Sequence, residues 1–453
     1  MKRNYFKLLA LLCSIVLKSN FAHAQDAVWT LAECIAYAKE HNLTIKQNIL
    51  NERVAKMQWE QSKLSVLPAV TLSSSYGRNF GRSIDPTTNS FNGTTYDFTG
   101  VNGNANILIF GWFRTRNTIA KNSLLLKAAA AELSQLENDI ALNVAAAYLR
   151  ILLANDQLAI NRQKLGISRK QVDQTASLLT AGRSNGLDLA QVKTQLVTDS
   201  ADYFKAELVC QQATIDLKAL LNLDMHAAFI VKAVDNIELN STILLLDPEQ
   251  IYLDAVTRFG SIKGASLRAE SLRKDLAIAR SSLYPQLNFS ASSGTNYSST
   301  YTELSANGEK LTMPLGSQFE NNFSQSVYIG LSIPLFNGLS SRFALKQAKT
   351  NVERSNLQVE ESRIKLKQDI YKACYEAKTA LQTCIASRSA SLLAQTGLEF
   401  AQKRYEKGLL NAIELLIAQN ASFKANTDET SAKYDLIFKV IITDYYRGKQ
   451  LAY

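Results

Sequence analysis

The residue types that most often do chemistry are scarce and scattered. Of three histidines among 453 residues, His23 lies near the N-terminus, and His41 and His226 fall in unrelated segments. No histidine cluster can hold a metal or complete a nucleophilic triad. No glycine-rich phosphate loop of the Walker or dinucleotide type occurs. Adjacent acids such as Glu360 and Glu361 sit in helical charge patterns and read as solvated faces. Cys34, Cys210, Cys374 and Cys384 are too few for a disulfide framework. Cys374 and Cys384 would lie about 15 Å apart on one helix, too far to bridge. No catalytic, cofactor-binding or metal site is expected, and no enzyme. The spacing that does recur is Asn-x-x-acid, at Asn185/Asp188 and Asn411/Glu414. It suits a helix start, where the amide caps a free N–H and the acid meets the positive helix end.

Those two motifs follow the elements that organise the chain, the proline-free runs Arg114–Ala181 and Arg342–Lys407. At 1.5 Å per residue the first reaches roughly 100 Å. The runs keep register at an offset of 226 residues. Ile140, Val144, Ala147, Ile151, Ala154 and Leu158 match Leu366, Ile370, Ala373, Ala377, Ala380 and Cys384. Spacings of three and four make one apolar stripe of small residues, which predicts close lateral packing of coiled-coil type. Taken alone, the runs also fit an exported coiled-coil structural or adhesive protein without a pore.

The first 24 residues read as a signal peptide. Lys2, Arg3 and Lys7 precede an apolar core, Leu8–Leu17, and Ala22-His23-Ala24 is a small-x-small cleavage site before Gln25. Cys13 lies within that core, so no lipoprotein is expected. The formal charge is +10, or about +6 once the four basic leader residues are removed. The remaining basic residues are interleaved with acids along helices, so no nucleic-acid partner is expected. Beyond the leader no run of about 18 apolar residues exists to form a membrane helix. A membrane role would have to come from strands.

In chain order, Thr30 and Glu33 form a capping box, and helix is predicted to about Val66, ahead of Pro68. Period-two alternation then predicts strands at about 68–80, 98–110, 285–297 and 325–336. Val70, Leu72 and Tyr76 alternate with Thr71, Ser73 and Ser75; Val101, Gly103, Ala105, Ile107 and Ile109 alternate with asparagines. Such strands fit lipid on one face and water on the other, and equally a half-exposed soluble sheet. Trp112, Phe113 and Phe336 follow strands and suit a bilayer interface. Residues 25–223 form a first repeat, 224–247 a connector, and 248–453 a second repeat; Tyr284-Pro285 repeats Leu67-Pro68 at an offset of 217. Four strands cannot close a barrel, and open edges are not tolerated in lipid. Two chains would give eight strands and three would give twelve.

Together these segments resemble the TolC-like family of outer membrane efflux proteins over about residues 28–450. The resemblance is carried by Trp29-Thr30-Leu31 through Ile35, His41-Asn42, Leu67-Pro68 and Tyr284-Pro285. It continues in Pro334 to Gly338, in Gly182 before Leu187-Asp188-Leu189, and in Arg404-Tyr405 with Gly408 before Ile413-Glu414-Leu415. It implies a homotrimer in the outer membrane, with a twelve-stranded β-barrel continued by a long-helix coiled-coil barrel in the periplasm. It implies a passive exit duct for efflux or type I secretion, docked to a periplasmic adaptor (membrane fusion) protein and through it to an inner-membrane pump. The adaptor-contact tips would be Gly182, Asn185 and Leu187, with Gly408, Asn411 and Ile413. Asp188 and Glu414 would be pore-gate candidates. Some family members carry a second acid three residues further on. Here that position is Ile417, so a single ring of three Glu414 carboxylates is expected, favouring cations.

Overall fold

The computed structural model describes residues 28–81, 83–84, 89, 91–92, 95–233, 246–304 and 309–449. The expected leader (1–24) and connector residues 234–245 lie outside them. In chain order the described strands are β1 (Val28–Trp29), β2 (Ala69–Asn79), β3 (Ser83–Ile84), β4 (Phe91–Asn92), β5 (Tyr96–Phe110), β6 (Ile230–Val231), β7 (Gln286–Ser298), β8 (Thr302–Leu304), β9 (Lys310–Thr312) and β10 (Ser324–Ser332). The helices are α1 (Leu31–His41), α2 (Leu43–Leu64), α3 (Arg114–Thr180), α4 (Gly186–Leu221), α5 (Pro248–Arg258), α6 (Gly260–Ser281), α7 (Leu315–Asn321), α8 (Ser340–Glu406) and α9 (Ala412–Arg447). Helix lengths of 11, 22, 67 and 36 residues occur in the first half and again, in the same order, in the second. Among the described residues no helix is long and apolar enough to cross a membrane.

The compact units do not coincide with the sequence halves. One comprises residues to Lys46, Leu136–Ala255 and Gln368 onward; the other comprises Gln47–Gln135 and Val256–Lys367. Each half supplies chain to both, because α3 and α8 each run from one unit into the other.

The first unit is helical. Its core follows the small-residue stripe: Ala377, Ala380, Leu381 and Cys384 of α8 pack on Ala432 and Leu436 of α9. In α3, Val144, Ala145, Ile151 and Ala154 are buried, while Ala147 and Leu158 of the expected stripe are only half-buried. Alanine brings the helix backbones close, and hydrogen bonds can then cross the seam. The Tyr434 hydroxyl of α9 donates to Asp156 of α3 at 2.8 Å, and the Tyr445 hydroxyl to Asp139 at 2.7 Å. Burial and the Asp156 carboxylate raise the Tyr434 pKa, keeping it a donor. Thr30 caps α1 through the expected box, with Glu33 accepting from its N–H at 2.8 Å. That hydrogen bond holds the Glu33 carboxyl below its ordinary value. The box therefore acts above that ordinary value and is lost as pH falls through the lowered one. The parallel pair β1–β6 is clamped by Tyr148, whose hydroxyl lies 2.6 Å from the Lys232 carbonyl and 3.0 Å from that of Trp29.

The second unit is built on one antiparallel sheet in the order β10-β7-β5-β2. Among the described residues, both outer strands, β2 and β10, leave one edge unpaired. The helix expected to run unbroken to Val66 is divided at Asn42. The Asn42 backbone N–H donates to Ala38 O and closes the first helix, while its side-chain Oδ1 accepts from the N–H groups of Thr44 and Ile45 and starts the next. At the matching place in the second half the backbone breaks at Phe259 (ψ 123°), and α6 begins on Gly260. Gly260 and Gly264 bring α6 against Ala131, Glu132 and Ala128 of α3.

Two strand expectations need correction. The fourth strand, expected to reach Phe336, ends at Ser332, because Pro334 has no N–H to give a ladder. The alternation expected through Ile109 breaks at a bulge between Leu108 and Phe110. The third strand runs to Ser298, close to its expected end, and the polar stretch beyond it adds β8, β9 and α7. Where β10 no longer covers β7, side-chain amides replace it. Gln318 accepts from Ser298 N at 2.9 Å and donates to Ser298 O at 3.0 Å, while Asn322 donates to Asn296 O at 2.8 Å.

Candidate functional site

The two helix turns are built alike, position for position. At the end of α3, Arg183 N donates to Leu178 O at 2.8 Å and Gly182 N to Leu179 O at 3.0 Å. At the end of α8, Leu409 N donates to Arg404 O and Gly408 N to Tyr405 O, each at 2.9 Å. This pairing closes a helix only if the turn residue is left-handed, and Gly182 (φ 70°) and Gly408 (φ 73°) supply that conformation. The next helix starts four residues on, at Gly186 and at Ala412. Asn185 accepts from Asp188 N, and Asn411 from Glu414 N, each at 2.8 Å.

The acids then diverge. Glu414 reaches back to accept from Asn411 N at 3.2 Å, completing a capping box. Asp188, one methylene shorter, accepts from the Ser184 hydroxyl at 3.2 Å instead. Glu414 is exposed, between buried Ala412 and Leu415. Beside exposed Arg183 and Lys407 the turns also expose aliphatic side chains: Leu187, Leu409 and Ile417 are about two-thirds exposed (65%, 64% and 64%), and Ile413 is 38% exposed. The turns thus present exposed aliphatic side chains on rigid caps, with one carboxylate at the head of α9.

Behind the first turn lies a polar seam that sequence spacing does not reveal. Asp199 of α4, 1% exposed, receives Lys164 Nζ and Gln195 Nε2, each at 2.7 Å, and the Ser168 hydroxyl. Asn420 of α9 reaches Gln195 at 3.5 Å. A lone buried carboxylate would be costly; this one has three donors. Among the described residues no group of three His, Cys, Asp or Glu could hold a metal. Burial raises the Cys34 thiol pKa to about 12, so Cys34 behaves as a small hydrophobe.

The sheet has two chemically different faces. Following register, Val70, Ala105, Ala291 and Val327 form one row; Ile107, Phe289 and Ile329 form the next, and Leu287 lies beside Leu331. The opposite face carries Thr71, Asn104, Ser292 and Ser326 in register. Towards the far end of the apolar face stand Tyr76 and Tyr297, either side of Thr99. At its near end are Trp112, with its ring 4.5 Å from that of Tyr284, and Phe113, 6.0 Å from Phe110. Trp112 (φ 52°) and Phe113 (φ 62°) are both left-handed, as are Gly338 and Leu339 at the corresponding turn. Phe336 is 81% exposed beyond the end of β10. Tyr76 and Tyr297 are not among the expected interface residues, because only the register places them at the border of one face, and Tyr284 is placed by its contact with Trp112. From Leu287 to Tyr297 the strand rises about 34 Å. Tilted by about 40°, that is about 26 Å, the height of the hydrocarbon band around a membrane barrel.

Comparison with known proteins agrees with this geometry. The family model described as "Outer membrane efflux protein" matches residues 34–223 and 254–439. The outer membrane protein TolC of Escherichia coli K12 is 21% identical over 440 residues, covering 95% of this chain and 84% of TolC. The outer membrane efflux protein BepC of Brucella suis biovar 1 is 20% identical over 416 residues, covering 90% and 83%. The crystal structure of the Campylobacter jejuni CmeC outer membrane channel superposes with a TM-score of 0.79 at 17% identity, covering 92% of this chain and 85% of that one. The chain belongs to the outer membrane efflux protein family, and is a channel protein of the outer membrane, not an enzyme.

Proposed function

We propose that three copies of this chain form one passive exit duct, the outer-membrane part of a tripartite efflux or secretion system. The observation that carries this reading is the four-stranded sheet, with one apolar face and, among the described residues, an unpaired edge on each outer strand. In lipid both edges must pair. All three junctions within the sheet are antiparallel, so β2 and β10 run in opposite directions. The β10 edge of one copy can therefore pair with the β2 edge of the next, again antiparallel. Three copies close twelve strands and leave no edge.

In this reading Tyr76 and Tyr297 lie at the outer rim of the bilayer, with Trp112, Phe113, Tyr284 and Phe336 at the inner rim. The helical unit extends into the periplasm. The turns at Gly182–Leu189 and Gly408–Leu415 offer Leu187, Leu409 and Ile413 to an adaptor protein, which links the duct to an inner-membrane pump. The pump supplies the energy. Purified protein in a planar bilayer is expected to give discrete single-channel conductance; a detergent-solubilised protein that never conducts would overturn the duct.

Glu414 at the head of α9 is proposed to line the narrowest part as a ring of three. Glu414→Gln keeps the cap, because glutamine serves the capping box as well, and removes only the charge. The variant is expected to conduct with a lower preference for cations; unchanged selectivity would leave Glu414 as a cap alone. Gly182→Val and Gly408→Val each force a β-branched residue to a positive φ, at about 1–2 kcal/mol or more per residue. Assembly in the membrane should survive this local strain while efflux is lost. Loss of assembly instead would make the turns folding elements rather than docking surfaces.

A further inference from the structure

The four long strands contain one acidic and one basic residue between them. These are Asp97 on β5 and Arg78 on β2, directly opposite each other and paired at 2.6 Å. Both stand in the apolar face's columns, at its far end beyond Tyr76. The polar face has no charged residue at any position along these strands, in a chain in which 20% of residues are charged. Its rows run Ala69, Asn106, Ser290, Tyr328; then Thr71, Asn104, Ser292, Ser326; then Ser73, Asn102, Gly294, Ser324. These side chains bond to one another. The Ser290 hydroxyl donates to the Asn106 amide oxygen at 2.7 Å, and the Ser292 and Ser326 hydroxyls are 2.7 Å apart. Asn102 lies over Gly294, where a Cβ would collide with its amide oxygen. The face is therefore an ordered amide and hydroxyl surface.

We propose that this face is a charge-free sleeve, the wall of the outer segment of the duct. It carries cations and anions alike, so any selection by charge is made elsewhere in the protein. The proposal rests on the exit-duct reading and adds to it the chemistry of the wall. A wall carboxylate or ammonium would hold oppositely charged cargo at the last step of export, where release must be easy. Amides and hydroxyls exchange hydrogen bonds with water and with polar solutes at little net gain either way. They wet the lumen without retaining what passes through. Asn104 is the position at which this neutrality is most directly tested. It lies in mid-strand on β5, away from both rims and flanked in its row by hydroxyl residues.

The test uses the full-length protein in planar bilayers under a KCl gradient, comparing Asn104→Asp, Asn104→Lys and the unaltered chain. At 0.01–0.1 M salt the Debye length is about 30–10 Å, so three charges in the wall act well into the lumen. Asn104→Asp is expected to raise the potassium-to-chloride permeability ratio by about twofold or more, and Asn104→Lys to lower it by a similar factor. Opposite and comparable shifts are the mark of a wall that starts neutral. Two conducting variants with unchanged ratios would overturn the sleeve, as would shifts in one direction only. If neither variant assembles, Asn104→Cys supplies the charge afterwards, modified in the bilayer with an ammonium or a sulfonate thiol reagent. The same reagents on the unaltered chain give the baseline from its own cysteines. No response at Asn104→Cys would again overturn the sleeve. Failure of the unaltered protein to conduct at all would strike the duct reading instead, which keeps the two failures distinct.

Discussion

Lysine in place of Ala105 is expected to abolish membrane-assembled protein, while lysine in place of the adjacent Asn104 leaves assembly intact. Consecutive residues on a strand point to opposite faces, and these two are one residue apart on β5. Ala105 lies in register with Val70, Ala291 and Val327, in the middle of the apolar band. Lysine near the bilayer midplane of a barrel strand costs about 2–4 kcal/mol. Three copies carry that cost three times, roughly 6–12 kcal/mol per barrel, which is comparable to the whole stability of a domain. Asn104 faces hydroxyls and water, where a lysine head stays solvated. The measurement is the amount of protein in the outer-membrane fraction with protease-resistant strands. Equal loss of both variants, or of neither, would mean that the two faces do not meet different solvents.

The second large effect is expected at Gly260, the first residue of α6. A Cβ there would run into the carbonyl of Ala131 on α3, with the Gln135 Cβ at 3.0 Å. The obstacle is backbone and cannot swing aside. Gly260→Ala should destabilise by about 1–3 kcal/mol, the range for overpacking, and Gly260→Leu should prevent α6 from docking. Gly166 and Gly397 are the matched comparison, since nothing in the chain lies within 4 Å of an added Cβ at either. Alanine at those two mid-helix positions should instead stabilise, by up to about 1 kcal/mol each. Thermal unfolding in detergent reads both signs. A Gly260→Ala protein as stable as the unaltered chain would show that α6 can stand further from α3.

The helices are legible in the sequence because their signals are local and strong. The long runs lack proline, the turns are marked by Gly182 and Gly408, and Asn185 and Asn411 start the return helices; all are properties of a few neighbouring residues. The same is true of the Thr30–Glu33 box. What the sequence hides is set by contact. Nothing local distinguishes Gly260 from Gly166, because the difference is a neighbouring backbone 129 residues away in sequence. Leu43, at the first-half position matching Gly260, is 58% exposed, so even the internal resemblance gives no warning. The break at Asn42 is hidden because one residue does both jobs, its backbone N–H closing α1 and its side chain starting α2. The bulge after Leu108 leaves Ile109 apolar, so the alternation reads on past the point where the register slips. β8, β9 and α7 are hard to place, because the polar residues beyond β7 suggest loop. The Asp199 cluster joins Lys164, Ser168 and Gln195 across two helices at spacings that resemble any solvated helix face.

The candidate site is legible to a similar degree. The Asn-x-x-acid spacing names Glu414 and Asp188 as helix-start residues and the family resemblance names them as gate candidates, but their different partners depend on one methylene and on Ser184. Trp112 and Phe113 are visible as aromatics after a strand. Tyr76 and Tyr297 need the register before their shared face can be seen, and Tyr284 needs its contact with Trp112.

The shared barrel is tested most directly by the detergent-corrected mass of the protein extracted from outer membranes. Three chains per complex is the expected result, since twelve strands then close without an edge. A detergent-free soluble monomer or dimer would contradict it, making the sheet an ordinary half-exposed one.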